Sequence, residues 1–144
     1  MRCALAIAAL SGAIFTSAIS GAAAAETWKP YGAVSDKGLQ WSYDADYSYL
    51  DQQSGKVVVM QAIGKVGAEP RMGPSRPGKP DGVGSVLALN CRERTVTSLG
   101  GYSPKKPLEL SANWRTANAT AAKSAEDNAL LDAVCPAAGG LPTK

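Results

Sequence analysis

The sequence predicts an α+β domain, an antiparallel β-sheet packed by a C-terminal α-helix and stapled by one disulfide. Three observations carry that expectation. Residues 41–49 alternate apolar and polar side chains with the period of a strand, and a more deeply buried apolar strand follows at 56–63. The period changes to that of a helix between Lys123 and Cys135. Two cysteines, Cys91 and Cys135, remain once an export leader is set aside.

The leader is the stretch MRCALAIAALSGAIFTSAISGAAAAETWK. Arg2 supplies the positive start, Cys3 to Ile19 is almost wholly apolar or small, and Ala23-Ala24-Ala25 offers a small-residue cleavage site before Glu26. Residues 1–25 are therefore expected to be a signal peptide, and 26–144 a single small domain with no membrane span of its own. This places the chain in the periplasm or at the cell surface of a Gram-negative-type bacterium. Cys3 leaves with the leader.

Each element follows in order. In QWSYDADYSYLD, Trp41, Tyr43, Ala45, Tyr47 and Tyr49 fall on one side of a strand, and Ser42, Asp44, Asp46 and Ser48 on the other. QQSG is a turn, and KVVVMQAI, Lys56 to Ile63, is a second, more deeply buried strand. In residues 67–84, nine of eighteen are Gly or Pro, so neither helix nor ladder continues through them. An exposed loop carrying Arg71, Arg76 and Lys79 is expected there. Next, Leu87, Leu89 and Cys91 share one strand face while Arg92 and Arg94 point to solvent. The phase slips near Glu93, through a bulge or a tight hairpin at RERT. GGYSPKKP is a turn and Leu108 to Trp114 a last strand. In KSAEDNALLDAVCP, Ser124 is the N-cap, Glu126 and Asp127 suit the positive end of the helix dipole, Leu130, Leu131 and Val134 form the apolar stripe, and Pro136 is the stop.

Composition narrows the function. Fifteen Lys and Arg stand against 12 Asp and Glu, a net charge of +3, too small an excess to indicate a nucleic-acid binder. An even cysteine count in an exported chain reads as a bridge. A structural zinc site needs four ligands, and a thiolate nucleophile usually needs a histidine base; this chain has no histidine. The Cys91–Cys135 bridge closes a loop of about 45 residues and adds about 4 kcal/mol on the chain-entropy model.

Other candidates give way to plainer readings. Asp44 and Asp46 share a strand face but gather no further ligands, so a solvated face is expected rather than a metal site. Ser103 and Lys106 make an S-x-x-K, yet Pro104 and Pro107 flank it and no partner motif follows. The aromatic face of Trp41, Tyr43, Tyr47 and Tyr49 reads as core under the helix; a small-ligand module stacking a flat ligand there is the alternative. Neither cofactor nor metal is expected, and the chain reads as a binder, not an enzyme.

Trp28, NCRERTVTS from Asn90 to Ser98, Trp114, Ser124 and LLDAVC ending at Cys135 together resemble the bacterial surface-adhesin protein E family. Its Tyr-x-Asp strand falls either at Tyr49 to Asp51, running into Ser54-Gly55, or in the Trp41–Asp44 region. The resemblance implies a two-cysteine α+β domain of the cell envelope that adheres to host extracellular matrix proteins. This chain departs from the family in lacking a Pro-Gly before the capping serine and in carrying the basic Pro/Gly loop. Haem binding, linked to proteins of that type, is not carried over, since only Tyr or Met is present to serve as axial ligand. The contacts expected for a protein partner are Arg71, Arg76, Lys79, Arg92 and Arg94. The rival expectation is a periplasmic structural or accessory protein.

Overall fold

Six antiparallel strands pair in strict sequence order in the computed structural model, which describes residues 26–67, 83–102 and 109–144. They are β1 (Trp28–Tyr31), β2 (Leu39–Leu50), β3 (Val57–Lys65), β4 (Val83–Asn90), β5 (Thr95–Tyr102) and β6 (Thr120–Ala121). Helix α1 (Ala125–Val134) follows, and a 3-10 helix, Cys135–Gly140, continues it. The fold is α+β, as expected. The leader, Arg71, Arg76, Lys79, Ser103 and Lys106 lie outside the described residues.

Alternation along β3 and β4 divides the core between the two sheet faces. On one face Val57, Val59, Leu87 and Leu89 meet Tyr31, Tyr43 and the α1 residues Leu130, Leu131 and Val134. On the other, Val58, Met60, Val86 and Ala88 pack with Leu99 and Trp114. Val58, Val59, Val86, Ala88, Leu89 and Leu131 are wholly buried, so β3 and β4 form the centre of a two-faced core. That explains why KVVVM is apolar at consecutive positions instead of alternating.

The aromatic residues of β2 do not share a face. From Asp44 to Tyr49, five residue steps on β2 stand opposite two on β3, Met60 to Val58. The excess is three, an odd number, and an odd insertion reverses the side on which every later residue points. Trp41 and Tyr43 therefore lie under α1, whereas Tyr47 and Tyr49 join the opposite core with Trp114. Asp44 organises the irregularity and is buried, not solvated. Its carboxylate accepts from the backbone N–H of Asp46 (3.0 Å) and Thr27 (3.1 Å), and its carbonyl accepts from Ser48 Oγ (2.7 Å). Asp46 accepts from Thr27 Oγ1 at 2.6 Å. The two aspartates anchor the entry to β1.

Of the two devices anticipated near Glu93, the tight hairpin is the one present there. A four-residue hairpin, Cys91–Arg94, joins β4 to β5, with Asn90 opposite Thr95. Further along, one step on β4 (Val86 to Leu87) faces two on β5 (Ser98 to Gly100), a bulge with Leu99 as its extra residue; ordinary alternation already puts Val96 and Leu99 on opposite faces. Cys91 and Arg92 thus belong to a turn and not to the strand expected there. Strand β5 also runs through Gly100 and Gly101, which the sequence assigns to a turn. A Cβ at Gly100 would lie 2.6 Å from the Glu109 carbonyl, so glycine is required by close backbone approach. Residues 109–114 form no strand. Local bonds take up the backbone instead, Trp114 N–H to Ser111 O (3.3 Å) and Ala117 N–H to Trp114 O (3.3 Å), and Trp114 drops into the core at 4 % exposure.

Helix α1 begins where its cap predicts: Ser124 Oγ accepts the Asp127 N–H at 3.0 Å. The α-helix ends at Val134, ahead of Pro136 as expected, and Pro136 sits in the first turn of the 3-10 helix that follows, where its missing N–H costs nothing. Ser124→Ala should lower stability by about 1 kcal/mol, read as a shift in the urea midpoint at unchanged slope. An unchanged midpoint would show that the helix start is held by packing alone.

Candidate functional site

The turns between β2 and β3 and between β4 and β5 lie at the same end of the sheet, and the polar chemistry of the domain gathers there. The β2–β3 turn is built on Asp51, which is 1 % exposed. Asp51 Oδ2 accepts from Ser54 N–H (2.9 Å) and Ser54 Oγ (2.6 Å), while Gly55, at φ 65°, lets the chain reverse.

The remaining valence of Asp51 is met by Arg115, 64 residues away. Arg115 Nη2 donates to Oδ1 at 2.6 Å and Nε to Oδ2 at 3.0 Å, a two-pronged pair. Hydrogen bonds from Arg115, strengthened by those from Ser54, outweigh burial and hold the Asp51 carboxyl down at about 2. The Arg115 side chain is 40 % exposed, and its Cζ lies 4.6 Å from the ring centroid of the buried Trp114. Lys56 Nζ donates to the Arg115 carbonyl at 3.4 Å.

The chain end completes the cluster. Thr143 bridges Leu50 in parallel, Lys144 N–H donates to Leu50 O (3.0 Å), and Gln52 N–H donates to Lys144 O (3.0 Å). These bonds set Lys144 Nζ 4.4 Å above the Tyr49 ring, whose neighbour Tyr47 tilts against it at a centroid distance of 6.3 Å. Burial, then the charge of Asp51, pushes the Tyr49 hydroxyl pKa up against the pull of Arg115.

Beside this cluster an open groove of about 390 Å³ runs between the two turns, lined by Ser54, Gly55, Asn90, Cys91, Arg92 and Glu93. Asn90 shapes its wall: Oδ1 accepts from the backbone N–H of Arg92 and Glu93 (3.1 Å each), and Nδ2 donates to Glu93 (3.1 Å). Arg92 reaches the groove as an exposed cation. Arg94 does not point away from the helix. Its φ of 51° turns the chain back, so that Nη1 pairs with Asp132 (2.9 Å) and Nη2 bonds Asn128 (2.9 Å), both on α1. The disulfide Cys91–Cys135, Cα atoms 5.6 Å apart, lies beside that clamp and pins the end of α1 to the turn.

Of the expected contact residues, then, Arg92 lies in the groove and Arg94 is engaged with α1. Arg115 and Lys144 are additions that only folding reveals, and Asp51, which the sequence offers only as the end of a Tyr-x-Asp strand, becomes the anchor of the cluster with Lys56 beside it. Among the described residues no three His, Cys, Asp or Glu side chains gather in a metal-holding group, and no helix is long and apolar enough to cross a membrane. Comparison of the chain with family models, with curated proteins and with solved structures gives no match.

Proposed function

We propose that this chain is an exported, non-enzymatic cell-envelope protein that binds a protein partner through the turn end of its sheet. The observation that carries the reading is the continuity of two surfaces across one residue. Asp51 holds Ser54, which lines the groove bearing Arg92, and also holds Arg115, stacked on Trp114. Arginine and aromatic side chains supply much of the energy of protein interfaces, and side chains ordered before contact lose less entropy on binding. The resemblance to the adhesin E type, carried by NCRERTVTS, Trp114 and LLDAVC, makes host matrix glycoproteins the first partners to test. The disulfide is compatible with an oxidising compartment.

Two measurements test this. Protease added to intact cells should degrade the protein while a periplasmic control survives. Protection until the outer membrane is opened would move the partner into the periplasm, as for an accessory protein. Purified protein should bind an immobilised matrix glycoprotein saturably, and Arg92→Glu should weaken that binding about tenfold with the melting temperature unchanged. Equal binding by Arg92→Glu would remove the groove from the contact surface.

A further inference from the structure

We infer that Lys56, Arg115 and Lys144 form a subsite for an acidic, carboxylate-bearing segment of the protein partner; this rests on the reading of the turn end as the contact surface. Three cations meet here from distant parts of the chain: the start of β3, the Trp114 turn and the terminal bridge to Leu50. The acidic side chain set among them, Asp51, lies buried behind Arg115 and is already paired.

The aromatic rings decide between an acidic peptide and an anionic sugar. A saccharide site would offer a bare ring face as a floor. Here Arg115 stacks on Trp114 and Lys144 on Tyr49, so a face that each of these rings would offer a sugar is taken by a cation and its N–H donors. Arg115 engages Asp51 through Nε and Nη2, and Nη1 takes no part in that fork. A guanidinium fixed in this way presents its remaining donors in one direction, which suits a carboxylate.

The test is the fluorescence anisotropy of a labelled ten-residue oligoglutamate titrated with the purified protein at low and at physiological salt. Saturable binding that weakens with salt is expected, as is about a tenfold loss in Lys56→Glu/Lys144→Glu. Lys37→Glu/Lys65→Glu, the same charge change at the opposite end of the sheet, should bind as the parent does. Lys56→Gln/Lys144→Gln gives a milder second reading if the reversal disturbs folding. Equal losses in the two reversed proteins would reduce the effect to net charge and overturn the subsite. So would tighter binding of a sulfated glycan with the same residue dependence. Matrix-glycoprotein binding that persists while the oligoglutamate fails to bind would overturn the subsite and leave the partner surface standing.

Discussion

Replacing Cys91 and Cys135 together by alanine should lower the stability of the domain by about 4 kcal/mol, the entropy that a 44-residue separation no longer removes from the unfolded chain. In a domain of this size the melting temperature should fall by roughly 15 °C. The physical context makes the loss larger in effect than the number alone suggests. A small domain has only about 5–15 kcal/mol to lose, and the bridge lies where α1 gives way to the 3-10 helix. Without it, α1 is held to the β4–β5 turn by the Arg94–Asp132 pair, both of whose side chains are largely exposed, and such pairs contribute little. The parent protein treated with reductant should reproduce the double variant. A drop of less than about 1 kcal/mol would mean that apolar contacts of Leu130, Leu131 and Val134 suffice to seat the helix.

The second large effect is at Asp51. Its folded pKa of about 2 lies below the ordinary value of 3.8, so the unfolded chain takes up the proton first as pH falls. The stabilisation is fully present above about pH 4 and is lost as pH drops towards 2. It amounts to about 2 kcal/mol, with screening at the exposed Arg115 holding it to that order. Asp51→Ala at pH 7 should cost about 3 kcal/mol, because it strands the Ser54 donors as well as the guanidinium. Asp51→Asn should cost less, since its carbonyl still accepts from Ser54. Urea unfolding at pH 7, 4 and 2.5 checks both the size and the sign. Asp51→Asn should flatten the acid limb; an unchanged limb would assign the acid sensitivity to other carboxylates.

Parts of this architecture were readable without coordinates because they depend on neighbours in the chain. The N-cap at Ser124 and the stripe Leu130, Leu131, Val134 follow from a helical repeat. The turn at residues 52–55 follows from its residue types. Pairing of Cys91 with Cys135 needed only a count. The face assignment of Tyr47 and Tyr49 was not readable in this way, since three extra residues in β2 acquire meaning only against the residues of β3. Reading GGY as a turn failed for a related reason: Gly100 answers to the Glu109 carbonyl, not to a reversal of the chain.

The candidate site belongs almost wholly to the second kind. Arg92 was legible as a cation beside a cysteine, and Tyr49 to Asp51 with Ser54-Gly55 as a short motif. Nothing local marks Arg115 as the partner of Asp51, or Lys144 as the cation over Tyr49. By itself, then, the sequence determined the fold class, the staple and the capped helix, because backbone propensity, side-chain period and covalent chemistry act over a few residues or through a single pair of thiols. Only the tertiary structure decided which face each aromatic occupies and which charges meet at the turn end. Those depend on the register of a sheet and on the burial of one carboxylate, which lowers its energy by drawing in a guanidinium from 64 residues away.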